Sequence, residues 1–443
     1  MNTLIKGTTA VTLDEQNNVI QNCDIAISGK KIVCVGKADQ NFQPDEIIDG
    51  KDTVALPAFF NAHTHSAMTL ERGWAEDVPF DRWLNEKIWV AESALEEEDV
   101  YWGSALAAAE MIRAGIVGFA DHYFWMDQTA RLVEESGMKS LLAWCHFGIG
   151  DENEPGNKSF MDTISFVENW KNAADGRIHT TMGPHSPYMD PPIVLEKFVN
   201  QAIRLGVGAH FHLSESIDQV KRSLEKYGKT PVEQVNELGL FDLPQATIVA
   251  HCISVTPSDI EILANKGVYV AQTPKTYLKL AMDMPPLLEM NQNGVKTAFG
   301  TDGPASNGDL NLLEILRIAS LFYKQQSSDP ENMKKFDLLK KATQMSSEAM
   351  GFSGSGMIAE GRTSDLILMD TTQPNWIPRH DLVAGIVYNS HPSDVLYVWS
   401  DGKLIFRKGE YLTLDIDKIR WEAEHRAFRM VGKPMSTMRT YNG

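Results

Sequence analysis

The sequence predicts an α/β fold, namely a (β/α)8 TIM barrel with a small discontinuous β-sandwich domain formed by the two flanks of the chain. Two observations predict it. Eight short apolar or β-branched runs recur between residues 56 and 356, with helical periodicity between them. Both ends of the chain instead carry strand-like runs without long helices. A doubly wound open sheet is the alternative for the central part.

The eight runs alternate with amphipathic segments, as parallel strands alternate with their crossover helices. Helical periodicity is clear in residues 96–115 and 191–206, and each of these segments ends at a glycine suited to a helix C-terminus. In chain order, the predicted strands lie in "TVALPAFFNAH", "GIVGFADHY", "KSLLAWCHF", "IHTTMGPHS", "VGAHFHLSE", "TIVAHCISV", "GVYVAQTP" and "VKTAFGTDG".

The flanks predict a different kind of structure. Residues 1–55 hold two strand-like runs around a Gly-Lys-Lys turn, and in residues 357–415 an Asp-Gly pair marks a hairpin. We expect both flanks to pair into one small β-domain that brackets the barrel at 56–356, with a charged helical tail at 416–443. Two separate flank domains are the alternative.

Charge narrows the classes of partner. The 443 residues carry a formal net charge of −18, from 41 Lys and Arg against 59 Asp and Glu. Nucleic acid and anionic membranes both need a cationic surface, so neither is an expected partner. The first residues lack a charged region followed by an apolar one, and no apolar run approaches the ~18 residues of a membrane span. We therefore expect a cytoplasmic protein with a small-molecule partner, and the sequence leaves a homo-oligomer open.

The cysteines indicate neither a disulfide framework nor a thiolate zinc site. They have no CxxC spacing, which favours reduced core residues. They are Cys23, Cys34, Cys145 and Cys252.

Histidines stand at the ends of the predicted strands, where barrel enzymes carry their chemistry. His63 and His65 are one residue apart, so strand alternation lets both bind one cation in the barrel mouth. Such a pair alone is weak evidence, because two histidines hydrogen-bonded in a loop are the commoner explanation. His212, His251 and Asp302, however, end strands five, six and eight. These nitrogen and oxygen ligands suit Zn²⁺, with Fe²⁺ as the alternative.

The motifs "LPAFFNAHTH", "HLSES", "AHCISV" and "GTDGPASN", in this order, resemble those of the amidohydrolase superfamily. The stretches "NAHTHSAMTLERG", "GPHSPY" and "GTDGPASNGDLNLLEILR" resemble its 5′-methylthioadenosine/S-adenosylhomocysteine deaminase branch, a relative of the triazine hydrolases. The similarity runs over nearly the whole chain, including the split β-domain. It implies a hydrolase with a single divalent metal.

The resemblance implies roles for individual residues. The implied metal ligands are His63, His65, His212 and Asp302. A bound divalent ion lowers the pKa of its water from 15.7 to about 7, which creates hydroxide at neutral pH. Glu215 would protonate the ring nitrogen of the attacked amidine, and His251 would orient the water. Asp302 would pass a proton to the leaving ammonia. A salt-bridged surface glutamate and a packed core histidine are the alternatives for Glu215 and His251.

The resemblance also implies substrate contacts. Glu92 matches a carboxylate that binds the ribose diol, since a carboxylate accepts two hydroxyl donors at once. His185 resembles a second ribose contact. Trp83 matches an aromatic residue that lines the pocket, with core packing as the alternative.

The sequence departs from the branch after strand seven. Gln272 stands where the branch usually has a histidine, and Lys275, Thr276 and Tyr277 replace small polar residues. This segment leaves the barrel on the metal's face, so we expect Lys275 and Tyr277 to contact the substrate. The alternative has Lys275 in solvent and Tyr277 packed against the adjoining helix.

The loop "GIGDENEPGNKSF" after strand three also departs from the branch. It lacks the arginines with which relatives bind the homocysteine carboxylate, and its acidic residues would repel that group. The sequence thus favours a methylthioadenosine-like or adenosine-like substrate over S-adenosylhomocysteine.

The prediction is a metal-dependent aminohydrolase that replaces a ring amino group of a purine nucleoside or similar amino-heterocycle with oxygen. A pterin deaminase and an s-triazine hydrolase are the enzymatic alternatives. A non-catalytic metal-binding scaffold is the non-enzymatic alternative. Retention of Glu215 and Asp302 argues against a scaffold, because a binding shell needs no proton shuttle.

Overall fold

One nine-stranded sheet and two four-stranded parallel sheets organise the chain into a mixed α/β fold. The structure, a computed structural model, describes residues 1–147 and 158–432. The predicted loop after the third barrel strand falls mostly on residues 148–157, outside the described residues, as does the end of the predicted tail from 433.

The N-terminal flank contributes five strands, which begin the nine-stranded sheet: β1 (Asn2–Val11), β2 (Val19–Ser28), β3 (Lys31–Gly36), β4 (Glu46–Asp49) and β5 (Thr53–Pro57). The C-terminal flank completes this sheet with four more strands, which follow the central ones in the chain.

The central strands form the two parallel sheets. The first sheet contains β6 (Phe59–Thr64), β7 (Ile116–Tyr123), β8 (Lys139–His146) and β9 (Ile178–Pro184); the second contains β10 (His210–Leu213), β11 (Ile248–His251), β12 (Tyr269–Gln272) and β13 (Lys296–Phe299). Nearly all of their residues are buried. Parallel strands covered on both faces need such continuous apolar runs, which is why the sequence shows them so clearly.

Hydrogen bonds join the two parallel sheets at both edges. A parallel bridge links Met182 of β9 to Ala209, just before β10. At the other edge, the N–H groups of Thr301 and Asp302, just after β13, donate to the His63 carbonyl of β6 at 3.1 and 3.0 Å. The carboxyl ends of all eight strands therefore meet in one region.

The remaining strands are β14 (Leu366–Asp370), β15 (Val395–Ser400), β16 (Lys403–Arg407) and β17 (Glu410–Tyr411). Strand β14 pairs antiparallel with β5, so both flanks share one sheet. The predicted Asp-Gly hairpin is confirmed between β15 and β16. Gly402 has φ +77°, and a Cβ there would stand 1.9 Å from the Gly29 carbonyl oxygen, so only glycine fits.

The helices occupy the connections. The longer ones are Glu97–Arg113, Met126–Ser136, Lys158–Trp170, Pro192–Leu205, Ile217–Tyr227, Pro257–Lys266, Leu312–Ser327 and Ile416–Met430. The shorter ones are Phe80–Arg82, Trp89–Glu92, Ala173–Gly176, Pro231–Glu237, Pro274–Lys279, Leu287–Gln292, Pro304–Asn307, Lys335–Lys340, Ser346–Ala349 and Leu382–Tyr388. Segments of 3-10 helix cover Ser66–Glu71, Pro374–Trp376 and Pro392–Asp394, and π-helix covers Trp83–Ile88 and Lys341–Met345.

Local sequence explains where the helices begin and end. The helix Pro257–Lys266 starts with a capping box between Thr256 and Asp259 and has proline at its first position. It ends at Gly267, whose φ of +65° suits a left-handed C-cap. None of the helices within residues 1–147 and 158–432 has both the length and the apolarity that crossing a membrane requires.

One predicted strand is divided in two. The run "TVALPAFFNAH" supplies β5 to the flank sheet and β6 to the parallel sheet, with Ala58 between them. The Ala58 N–H donates to the Asp365 carbonyl, whereas the Phe59 N–H donates to the Gly115 carbonyl, so the chain changes partners at this residue. The flank sheet therefore extends past residue 55, where the sequence ended it.

A buried ion-pair network joins the two parts of the fold. Lys139, at the start of β8, lies 2.5 Å from an Asp365 carboxylate oxygen and 3.2 Å from an Asp401 carboxylate oxygen. Asp401 also pairs with Lys30 at 2.7 Å. The Lys139 and Asp365 side chains are 4% and 0% exposed, so each charge depends on the other for compensation.

The substitution Lys139→Met should therefore destabilise the fold by about 3 to 5 kcal/mol, because it leaves Asp365 buried without its cation. Thermal unfolding followed by circular dichroism measures the effect. The control is Lys266→Met, which breaks a solvent-exposed pair with Asp242 and should cost about 1 kcal/mol or less. Equal melting temperatures for the two variants would contradict this account.

Candidate active site

Three histidines converge at the carboxyl ends of β6 and β10. His63 lies in β6, His65 directly follows the last residue of that strand, and His212 lies in β10. One ring nitrogen from each falls within 4.8 Å of the others. Strand alternation explains the first pair, and adjacent strand ends explain the third member.

Hydrogen bonds orient each ring. The Nδ1 of His65 is 2.6 Å from the His122 carbonyl oxygen, and the Nδ1 of His212 is 3.1 Å from the His185 carbonyl oxygen. A carbonyl only accepts, so each Nδ1 carries the proton and each Nε2 presents its lone pair to the cluster. The Nδ1 of His63 is held at 2.9 Å by His210 Nε2. Such outer contacts are typical of metal-binding histidines.

The Nε2 atoms face one another. Those of His65 and His212 are 3.2 Å apart, and the buried Nε2 of His63 has no hydrogen-bond partner among the described residues. The Nδ1 protons of His65 and His212 are already donated to carbonyl oxygens, so their Nε2 atoms carry lone pairs that repel each other. An added proton or a cation between the two Nε2 atoms removes this repulsion. The donor set therefore fits a divalent metal ion.

Asp302, just after β13, adds a carboxylate to the cluster. Its Oδ1 lies 3.3 Å from His65 Nε2 and 3.6 Å from His63 Nε2. Burial alone would raise the pKa of Asp302, but its interactions with these two histidines hold the pKa well below its usual range. Burial alone would likewise lower the pKa of His65, yet its bond to Asp302 and the carboxylate charge raise it to about 8. His63 shows the opposite outcome, since burial lowers its pKa to about 3. The carboxylate thus attracts positive charge to this point.

Glu215 and His251 lie together beside the cluster. Glu215 Oε1 is 3.7 Å from His251 Nε2. Glu215 Oε2 accepts hydrogen bonds from the Tyr188 hydroxyl at 3.2 Å and the Gln219 amide at 3.3 Å. One carboxylate oxygen is therefore held by neighbours while the other remains available. The sequence had not indicated Tyr188 or Gln219 as partners, because both bonds depend on the folded loops.

Gln272, the departure at the end of β12, acts from outside the cavity. Its side-chain amide donates to the His251 carbonyl at 2.9 Å, and its side chain is buried. His251 has φ +78°, which is strained for a residue other than glycine. Asp302, with φ +64°, is strained in the same way. Such strain at strand ends is typical of functional sites.

A cavity with about 650 Å³ of empty space opens over the cluster. The predicted residues that line it are His65, Trp83, Glu92, His185, His212, Glu215, His251 and Asp302. Trp83 begins the π-helix Trp83–Ile88, a distortion often found at functional sites. His185 stacks on Phe147 with ring centroids 4.5 Å apart, and burial lowers its pKa to about 3.

Two predicted substrate residues lie elsewhere. Lys275 pairs with Asp309 at 3.0 Å and with Glu314 at 2.5 Å, and it does not line the cavity. Tyr277 is fully buried, and its hydroxyl accepts a hydrogen bond from the Thr273 N–H at 3.0 Å. The expected substrate contacts of Lys275 and Tyr277 are therefore corrected. Lys275 is held in ion pairs, and Tyr277 is packed in the interior. Lys275 does not lie free in solvent either.

Sequence analysis did not identify Glu71, a buried glutamate whose pKa is affected by Glu92. Burial raises the pKa of Glu92 to about 7, although the Tyr123 hydroxyl and His65 oppose this shift. Burial, and then the charge of Glu92, raise the pKa of Glu71 well above its usual range. Both Glu71 carboxyl oxygens are buried and lack a hydrogen-bond partner among the described residues. Its position in a polar segment gave no signal that it would be buried.

Comparison with known proteins identifies the family of this chain. A model described as the amidohydrolase family matches residues 54–405. A protein of Dictyoglomus thermophilum named 5-methylthioadenosine/S-adenosylhomocysteine deaminase is 47% identical over 390 residues, 88% of this chain and 90% of that protein. One with the same name from Pelotomaculum thermopropionicum is 41% identical, covering 98% of this chain and 99% of that protein.

Solved structures are similar as well. An adenosine deaminase from Xanthomonas campestris with bound zinc has a TM-score of 0.92 and 28% identity, covering 97% of this chain and 98% of that one. Atrazine chlorohydrolase from Arthrobacter aurescens, complexed with zinc, has a TM-score of 0.88 and 23% identity, covering 96% and 100%. At that identity the second likeness concerns the fold alone.

The cluster generates a prediction about metal content. The substitution His65→Asn should leave well under one zinc ion per chain after dialysis against a chelator, because it removes one imidazole ligand. Inductively coupled plasma mass spectrometry measures the content. The matched control is His179→Asn, since His179 lies near the opposite end of a parallel strand and bonds the Met350 carbonyl. Equal zinc content in the two variants would exclude His65 as a ligand.

Proposed function

The chain belongs to the amidohydrolase family, and from that premise we propose that it is a metal-dependent aminohydrolase that deaminates a purine nucleoside. The substrate class includes 5′-methylthioadenosine, adenosine and S-adenosylhomocysteine. The reaction replaces a ring amino group with oxygen and releases ammonia.

One observation carries the proposal. A single cavity is lined by His65, His212, Glu92, the Asp302 carboxylate and the Glu215–His251 pair. The third imidazole, His63, is fully buried and has a ring nitrogen within 4.8 Å of those of His65 and His212. Candidate metal ligands, candidate acid–base groups and a carboxylate suited to a ribose diol thus lie around one cavity. A metal-binding scaffold would need only the first of these three sets.

The proposed metal ligands are His63, His65, His212 and Asp302. A divalent ion bound there, Zn²⁺ or Fe²⁺, supplies water activated for attack at neutral pH. The zinc named in the related adenosine deaminase structure supports Zn²⁺ as the first choice.

We assign proton transfer to three side chains. Glu215 exchanges its proton through Oε1, the oxygen that Tyr188 and Gln219 leave available, and it protonates the ring nitrogen next to the reacting carbon. His251 lies 3.7 Å from that oxygen and orients the attacking water. Asp302, whose Oδ1 accepts a hydrogen bond from the Gly303 N–H at 2.8 Å, takes a proton from the attacking water and carries it to the leaving amine, which departs as ammonia.

The substrate assignment rests on the cavity and on the relatives. Glu92, His185 and Trp83 line the same space as the acid–base pair, as contacts for a ribose and a ring require. Relatives that share 37–47% identity are named 5-methylthioadenosine/S-adenosylhomocysteine deaminases. The triazine hydrolases are 23% identical to this chain, so the comparison supports a shared fold and gives no support for a triazine substrate.

We also infer that the two parallel sheets make one (β/α)8 barrel, because strand contacts join them at both edges. The flanks at 1–55 and 357–415 then form a discontinuous β-domain, with the boundary near Ala58. Its sandwich arrangement, a cytoplasmic location and the homo-oligomeric state remain predictions.

Ammonia release tests the proposal directly. Zinc-loaded protein should deaminate adenosine or its 5′-thio derivatives, while inosine should give no ammonia because its ring carries no amino group. The same assay with a pterin that carries an amino group and with an amino-s-triazine tests the pterin deaminase and triazine hydrolase alternatives. Turnover of the triazine without turnover of any aminopurine nucleoside would overturn the assignment.

The substitution Glu215→Gln should keep the metal and lower kcat by ~100-fold or more, because the amide cannot deliver a proton to the ring nitrogen. His251→Asn should lower kcat in the same direction. Steady-state kinetics at measured metal occupancy test both variants. A near-normal kcat in a fully loaded variant would show that the assigned role is wrong.

A further inference from the structure

A second cavity adjoins the catalytic one. It has about 690 Å³ of empty space, is open to solvent, and is lined by Trp89, Glu92, Ser93, Phe124, Trp125, Phe147 and Met189. We call this space the aromatic side cavity. Trp89, Glu92, Phe124 and Phe147 line both cavities. The two spaces therefore meet at these side chains.

Contacts between rings make the lining continuous. Phe124 lies 5.6 Å from Phe147 and 6.2 Å from Trp125 between ring centroids, and Trp89 lies 6.1 Å from Phe147. Phe147 in turn stacks on His185. Aromatic side chains thus run from a wall of the catalytic cavity into the side cavity.

The described lining of the side cavity offers no cation. Glu92 is the charged residue in its described lining, where no lysine or arginine occurs. A carboxylate bound against these rings would lose part of its hydration without a counter-charge from the described lining, whereas an apolar group would gain from burial.

The order of groups indicates what enters. The metal-ligand cluster lies on the catalytic side, and Glu92 stands where the two cavities meet. A nucleoside with its amino ring at the cluster and its diol at Glu92 directs its 5′ carbon towards the aromatic side cavity.

We propose that the aromatic side cavity receives the 5′ substituent of the nucleoside and selects apolar alkylthio or arylthio groups over substituents that carry an amino acid. This inference rests on the proposed function and deepens it. Met189 and Ser93, which line the side cavity alone, are then the positions at which this selectivity can be changed.

The wild-type enzyme provides the first test. We compare kcat/KM for adenosine, 5′-methylthioadenosine, 5′-benzylthioadenosine and S-adenosylhomocysteine. Methylthioadenosine should exceed adenosine by about tenfold, because a small apolar group is buried. The benzylthio compound should match or exceed it, while S-adenosylhomocysteine should fall at least about tenfold below. Equal or higher activity on S-adenosylhomocysteine, or rejection of the benzylthio compound, would overturn the proposal.

A cation introduced at the side cavity provides the second test. The substitution Met189→Arg should raise the ratio of kcat/KM for S-adenosylhomocysteine to that for methylthioadenosine by about tenfold, because it pairs the carboxylate. Ser93→Arg introduces the same charge from another wall and serves if the first variant does not fold. The matched control is Val90→Arg, since Val90 is 58% exposed and does not line either cavity. Identical ratios in the lining variants and the control would contradict the proposal.

The two hypotheses fail differently. If no purine nucleoside releases ammonia from metal-loaded protein, the proposed function fails. If adenosine is deaminated but the 5′ substituent changes neither the wild-type rates nor the variant ratios, only the selectivity of the side cavity is refuted.

Discussion

The active site depends on two imidazole nitrogens that approach within 3.2 Å, the Nε2 atoms of His65 and His212. Each ring has already donated its Nδ1 proton to a backbone carbonyl, so the two lone pairs would repel unless positive charge lies between them. The Asp302 carboxylate, 3.3 Å from His65 Nε2, further favours positive charge at this point. In the proposed metal site, a divalent ion bound between the two rings would supply this charge.

The surrounding fold maintains this approach. Carbonyls at the ends of neighbouring strands orient His65 and His212, and His210 orients His63. Their partners come from positions far apart in the chain, which only the carboxyl ends of parallel strands bring together. The Lys139 ion-pair network fixes the same strands to the flank sheet at the other end. Stability and site geometry thus depend on separate contacts at opposite ends of the strands.

Sequence reasoning identified the residues that follow from strand periodicity. His63, His65, His212 and Asp302 could be predicted because alternation and strand ends determine where they point. Contacts outside the strands could not be predicted. Lys275 binds Glu314, 39 positions further along, and Glu71 is buried although its segment is polar. The division of the first strand at Ala58 was hidden because both halves are equally apolar.

X-ray absorption spectroscopy of the zinc-loaded protein tests the central claim most directly, because it reports the ligands of the metal without requiring substrate. We expect a first shell of nitrogen and oxygen only, with the multiple-scattering pattern of three imidazoles that His63, His65 and His212 would give. A shell that contains sulfur, or one with fewer than two imidazoles, would contradict the account, since the metal would then be bound elsewhere in the chain.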